Sequence, residues 1–225
     1  MLKNFEVQAH RGASKTAKEN TLEAFLKAQQ IGCDSIEMDL HLTSDGEVVV
    51  MHDFLWQGKP IIQQTSLQGQ FLLLKTVFQA LKPTIILDLE LKRDPAHPDW
   101  SAAPKVFVHH LVQLVHSEWK GPVRVRSFDS LLLQELKLQA PKLERVALVE
   151  DGASWESAVS STDPQWIAPY YRSVNAERVK WAHSKGLKVM PYTVNDPATW
   201  KTLLSLGVDG ITTDDPAALM ILKRV

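Results

Sequence analysis

Short apolar runs of strand character recur along this chain, separated by stretches with the 3.6-residue spacing of helices, and that alternation leaves few folds open. The runs lie at 5–9, 35–40, 84–92, 123–128, 145–150, 166–171, 187–195 and 208–213. One helical stretch begins at Asn20-Thr21, either of which can cap it, and carries Leu22, Phe25 and Leu26 before Gly32 stops it. Others cover 72–81, closed by Lys82-Pro83, then 106–119, 131–139 behind a cap at Asp129 or Ser130, a short piece around 155–159, and 175–185, ended by Gly186. Eight strands with helices between them predict an α/β fold, a (β/α)8 TIM barrel, in which reactive side chains project from the C-terminal ends of the strands. Residues 47–51 stand outside that count and read as the return arm of an extra β-hairpin after the second strand, turned at Ser44-Asp45-Gly46.

A length of 225 residues with 44% apolar content suits one barrel domain over 1–225. The net charge of −1 supplies none of the basic field that nucleic-acid binding uses, so no nucleic-acid partner is expected. Cys33 is the only cysteine, which excludes a disulfide within the chain and agrees with a reducing compartment. Residues 1–6 lack an apolar signal core and no run reaches bilayer-spanning length, which predicts a cytoplasmic protein without stable membrane association.

The chemistry concentrates between residues 9 and 53. The first apolar run ends in His10-Arg11-Gly12. In the second, Ile36, Met38, Leu40 and Leu42 alternate with Glu37, Asp39 and His41, so Glu37 and Asp39 share a face. Two like charges side by side in a barrel are costly unless a cation lies between them, and a divalent metal is the simplest candidate. The hairpin arm then returns His52-Asp53 toward the level of those carboxylates.

His10-Arg11-Gly12, Glu19-Asn20-Thr21, Glu37-x-Asp39, Thr43-x-Asp45-Gly46 and Val49-Val50-x-His52-Asp53, in that order and spacing, resemble the glycerophosphodiester phosphodiesterase family. Glu90-x-Lys92 is similar to that family's Glu-x-Lys, which implies Glu90 as a third metal ligand and Lys92 as a phosphate contact. Tyr192-Thr193-Val194-Asn195 resembles its Trp-Thr-Val-Asn, and 207–214 resembles its closing motif, so the likeness covers the whole chain. Tyr192 stands where the family uses a tryptophan near the substrate, and the segment after Asp53 is shorter than the insertion many members carry.

The resemblance implies a small bacterial-type cytoplasmic enzyme that hydrolyses a small-molecule glycerophosphodiester to sn-glycerol 3-phosphate and an alcohol. Glu37, Asp39 and Glu90 are hard oxygen donors suited to one divalent ion, Mg²⁺ or Ca²⁺. Arg11 can clamp a phosphate oxygen with its planar fork, Lys92 can add a point charge, and Tyr192 falls beside the substrate. His10 and His52 are the candidate general acid and base, in either order. The competing readings are a lysophospholipase D on the same scaffold and a non-catalytic phosphate-binding barrel.

Several residues keep two readings at this stage. Asn20 either holds the loop after His10 or caps its helix; Asp53 either orients His52 or closes its own turn; Asp88 either supports the site or lies deeper in the barrel. Phe54 and Trp56, in a Gln-rich excursion over the barrel mouth, either line a pocket or pack. His109 and His116 share a helix face, but no further ligand completes a metal set there.

Overall fold

The computed structural model describes residues 5–224. Eight parallel strands form the barrel staves: β1 Glu6–Ala9, β2 Ser35–Leu42, β3 Ile86–Leu91, β4 Val123–Ser127, β5 Glu144–Val149, β6 Trp166–Pro169, β7 Lys188–Val189 and β8 Gly210–Thr213. Each is followed by a helix: α1 Leu22–Ile31, α2 Leu74–Ala80, α3 Pro104–Glu118, α4 Ser130–Gln139, α5 Trp155–Thr162, α6 Ala176–Ser184, α7 Pro197–Ser205 and α8 Pro216–Arg224. The last two have no counterpart in the sequence reading. A proline at the first helical position and Asp196 as cap of α7 are the signals that could have found them.

The ladders run from β7 through β6, β5, β4, β3, β2 and β1 to β8. Between β7 and β8 there is no regular ladder, because Pro191 has no N–H to give and the seventh strand ends early instead of running through 187–195. Three backbone hydrogen bonds span the gap: Asp209 N to Val189 O at 2.8 Å, Thr212 N to Pro191 O at 3.0 Å and Val194 N to Thr212 O at 2.9 Å. The TIM-barrel expectation is borne out, with closure made by these bonds.

The extra arm after β2 is also present. Val48–Val50 pairs antiparallel with Leu40–Leu42, and Leu72–Leu73, read from sequence as the start of α2, pairs with that arm instead. Residues 54–70 fold into a two-stranded turn, Leu55–Trp56 with Lys59–Pro60, a single 3₁₀ turn and a short helix, Ser66–Gly69, whose first amide and hydroxyl bond Asp45 of the hairpin.

Outward residues of the strands, such as Ile36, Met38, Leu40, Leu87, Leu89 and Val125, pack under the helices in one large buried cluster, and Val7, Ile167, Val189 and Ile211 anchor another. Inside the barrel the two halves differ. Gln8, Glu37, Asp88, Arg124 and Arg126 fill the side made by β1 to β4, all buried, while Val146, Leu148, Trp166, Ala168 and Met190 fill the side made by β5 to β7. The Arg124 guanidinium, 4.5 Å over the Trp166 ring, joins them.

Candidate active site

The register sets the first pair. Asp39 of β2 lies opposite Glu90 of β3, and Glu90 opposite Arg126 of β4. Because side chains alternate, Glu37 shares the inward face with Asp39, one step deeper. Oxygens of Glu37, Asp39 and Glu90 approach within 4.8 Å of one another. The candidate metal ligands of the sequence therefore come together.

Their surroundings are unequal. Asp39 Oδ2 accepts from Asn20 Nδ2 at 2.8 Å and lies 3.1 Å from Arg11 Nε, while Oδ1 is 3.3 Å from Lys92 Nζ. Burial opposes ionisation of Asp39, but the Lys92 and Arg11 charges outweigh it and hold its carboxyl below the usual range. Glu37 Oε2 accepts from Arg11 N at 2.8 Å, yet its Oε1 is buried without any hydrogen bond. Burial first, and then the Asp39 charge, push the Glu37 carboxyl up to about 8. A bare buried oxygen in a set of three hard donors is what a cation would satisfy, so the residues present fit a divalent metal.

Arg11 and Asn20 reach this cluster because both adopt left-handed backbone, each with φ 54°, in the loop after β1. Asn20 N donates to Arg11 O at 3.0 Å, and Asn20 Oδ1 accepts from Asp39 N at 3.3 Å. The cap of α1 is Thr21, which accepts from Ala24 N. Asn20 thus holds the loop against β2. Gly12 follows with φ 84°, and a Cβ there would lie 2.6 Å from the Ala24 carbonyl carbon, so only glycine lets the loop cross α1 so closely.

His10, at the end of β1, has Nδ1 2.6 Å from Asp214 Oδ1. Burial works against its charged form, but the Asp214 hydrogen bond and the Glu37 charge together raise it above an ordinary imidazole. His52 is more open, and its Nδ1 lies 2.9 Å from Asp53 Oδ1, which makes Asp53 a partner of His52. His10, Arg11, Glu37, His52, Glu90, Lys92 and Tyr192 line one cavity of about 240 Å³ with Arg126, Phe128, Leu148 and Thr193. A second hollow of about 370 Å³ continues past Glu90, Lys92 and Phe128 to Phe54, Asp94 and Glu150.

Lys92 Nζ pairs with Glu90 Oε1 at 2.9 Å and stands 6.0 Å over the Phe54 ring. Tyr192 directs its hydroxyl to Val149 O at 3.1 Å and presents its ring to Phe128. Phe54 lines the hollow, whereas Trp56 packs on Phe71. Asp88 lies below the site: Arg126 forks onto both its oxygens at 2.9 and 2.6 Å, and Gln8 Nε2 donates at 2.7 Å. Arg126 and Asp214 were not singled out from sequence for the site. The alternation of Arg124 and Arg126 on β4 is a usable signal for the former. Asp214 ends the closing motif at 207–214, but it lies 204 residues from His10 and nothing local signals that pairing.

A model of the glycerophosphoryl diester phosphodiesterase family matches residues 10–58 and 55–218. The chain belongs to that family. A glycerophosphodiester phosphodiesterase of Caldanaerobacter subterraneus is 28% identical over 97% of each chain. A crystal structure of a putative glycerophosphoryl diester phosphodiesterase from Silicibacter pomeroyi, 26% identical, covers 98% of this chain and 93% of its own with a TM-score of 0.86. The fold is also that of an Oleispira antarctica phosphodiesterase solved with the product sn-glycerol-3-phosphate, at 22% identity, a TM-score of 0.86 and coverage of 98% of this chain and 97% of that one. The resemblance read from the five motifs is thus borne out, and so is the class of enzyme. Among the described residues of this glycerophosphodiester phosphodiesterase family member, no helix is long and apolar enough to cross a membrane.

Proposed function

We propose that the protein hydrolyses small glycerophosphodiesters to sn-glycerol 3-phosphate and an alcohol, with one divalent ion, Mg²⁺ or Ca²⁺, held by Glu37, Asp39 and Glu90. The observation that carries this reading is the bare Glu37 Oε1 within a group of three buried carboxylates, in a cavity that also holds two histidines, an arginine and a lysine. Family membership and the product bound by the Oleispira relative support the reaction class.

A phosphodiester monoanion repels nucleophiles, so the site must neutralise its oxygens, supply or activate a nucleophile and protonate the departing alkoxide. The metal, when bound, supplies Lewis-acid polarisation of the phosphoryl oxygens. Arg11 is fixed by Asp39 and Glu19 Oε1, 2.8 Å from its Nη1, and offers its remaining N–H groups as a rigid fork. Lys92, held beside Glu90 and Asp39, exchanges part of that pairing for the phosphate. His10 and His52 take up and deliver the proton, one on each side of the reacting bond. Tyr192 and Phe128 form an aromatic wall for the organic part of the substrate. The buried free Cys33 agrees with the cytoplasm as the place of action.

The test is release of glycerol 3-phosphate from glycerophosphocholine and glycerophosphoethanolamine, with Mg²⁺, with Ca²⁺ and with chelator, beside His10→Ala and His52→Ala. Metal-dependent turnover abolished in both variants is the expected result. Turnover of lysophospholipids alone would replace the reading with a lysophospholipase D, and binding without turnover of any diester would leave a phosphate-binding barrel.

A further inference from the structure

His10 and His52 are held very differently. Both have Nδ1 near a carboxylate, but the His52–Asp53 pair is local and exposed, with side-chain exposures of 40% and 69%. The His10 ring is 20% exposed, and its carboxylate comes from the far end of the chain. Asp214 is itself tied down. Asn195 Nδ2 donates to Asp214 Oδ2 at 2.6 Å, and Ser14 Oγ lies 3.0 Å from Oδ1. Asn195 Oδ1 in turn accepts from Asp214 N at 2.9 Å and Thr213 Oγ1 at 3.1 Å.

The backbone closes the same clamp. His10 N donates to Thr213 O at 2.9 Å, and Lys15 N donates to Asp214 O at 2.9 Å. The carboxylate therefore cannot follow the imidazole if the ring turns. A carboxylate accepts only, so Nδ1 facing it carries a proton in both the neutral and the charged ring. The opposite nitrogen, Nε2, has no hydrogen-bond partner among the described residues, and the ring lines the cavity that contains Glu37 and Lys92. His10 also borders a surface hollow with Ser14, Asn195 and Asp214. His10 thus borders both hollows, with Nδ1 engaged by Asp214, a residue of the second, and Nε2 unpartnered among the described residues.

We propose that Asp214, locked by Asn195 and Ser14, is the positioning residue that fixes His10 as the Nδ1–H tautomer, so that His10 exchanges protons with substrate through Nε2 alone. This rests on the reading of His10 as an acid–base group in diester hydrolysis. In neutral imidazole the Nδ1–H form is the minor one in water, and a carboxylate partner reverses the preference. Without Asp214 the neutral ring would return its proton to Nε2, and a nitrogen already protonated cannot accept.

The decisive comparison is wild type against Asp214→Asn and Asn195→Ala, followed by steady-state kinetics and by ¹⁵N NMR of the histidine rings, with the His10 signal assigned by its loss in His10→Gln. The expected result is an Nδ1-protonated His10 in wild type and a shift toward Nε2–H in Asp214→Asn. With that shift, kcat should fall by about 100-fold or more, as in other carboxylate–histidine pairs, KM should stay within about threefold and the melting curve should remain cooperative. Asn195→Ala should fall between. A wild-type His10 protonated at Nε2, or a kcat in Asp214→Asn within about threefold of wild type, overturns the proposal. If Asp214→Asn fails to fold, the wild-type tautomer and the Asn195→Ala kinetics decide it. If wild type turns over no diester, the NMR result still judges the clamp, and the reaction assigned to His10 is what fails.

Discussion

Glu37 and Asp39 stand two residues apart on β2 with both carboxylates buried, yet the side-chain ion pairs are made by Asp39. Lys92 and Arg11 lie 3.3 and 3.1 Å from Asp39 oxygens, whereas Glu37 keeps one oxygen bonded to nothing. A half-compensated pair of this kind responds to whatever cation enters.

Metal-free protein is expected to lose stability as pH rises. The folded Glu37 carboxyl is raised to about 8 from an ordinary value of 4.5, so the folded state holds the extra proton between those values. Where the native state binds more protons, stability falls with increasing pH. Thermal melts in chelator should therefore show Tm declining from about pH 4.5 to about pH 8, and saturating Mg²⁺ or Ca²⁺ should flatten the decline. Ion at about 100 times its Kd adds roughly 2.7 kcal/mol. Glu37→Gln should make the decline shallower, leaving the part due to the raised His10, and should remove the response to metal.

Asp88 should govern acid stability instead. Burial opposes its charge, but Arg126 and Arg124 outweigh that and lower its folded value below 3.8. Its contribution is complete above the unfolded value and is lost as pH falls through the folded one. Removing it leaves the buried Arg126 guanidinium without its carboxylate, while Arg124 keeps Glu6, a loss of about 3–5 kcal/mol. Urea unfolding of Asp88→Ala at neutral pH, and the acid limb of the Asp88→Asn melting profile, measure the two effects.

Gly12→Ala should damage the site through the backbone. The position has φ 84°, and the new Cβ would meet Ala24 backbone at 2.6 Å. Strain of this type is worth about 1–3 kcal/mol, and the shift would carry Arg11 N away from Glu37. Lower Tm together with weaker metal binding by calorimetry is the expected pair of results. A change in Tm alone would mean that the loop relaxes without the carboxylate.

His52→Ala should separate chemistry from stability. Its ring is 40% exposed and its polar partner, Asp53, is more exposed still. Diester turnover is expected to fall by about 10²–10⁴-fold with Tm nearly unchanged. A turnover close to that of wild type would remove His52 from the reaction.

The strand–helix alternation made the barrel legible, because each run had to bury one face under a helix and the other inside. The period of two on β2 likewise put Glu37 and Asp39 on one face, and the hairpin after Gly46 returned His52. These are local properties: they depend on neighbours in sequence, and an alternating strand admits few arrangements. The boundaries were less legible. Strand seven stops at Val189 rather than at Asn195 because Pro191 interrupts the pairing, and the short Leu72–Leu73 strand was captured by the hairpin arm rather than by α2.

What the residues could not reveal alone was which partner each charged group would choose. Asn20 was equally able to cap α1 or to hold the loop, and the left-handed turn at Arg11 and Asn20 delivered it to Asp39. Asp88 could have served the site, but Arg126 on the neighbouring strand claimed both its oxygens. Asp214 became the partner of His10 only because barrel closure lays β8 beside β1, with Ala9 opposite Thr213. A hydrogen bond needs atoms within about 3 Å, and for residues far apart in sequence that approach is made by the packing of the whole barrel rather than by any pattern along the chain. Residue types and spacing therefore determined the barrel and its set of reactive groups, and tertiary structure decided how those groups were paired, which oxygen was left bare and which nitrogen of His10 was engaged by Asp214.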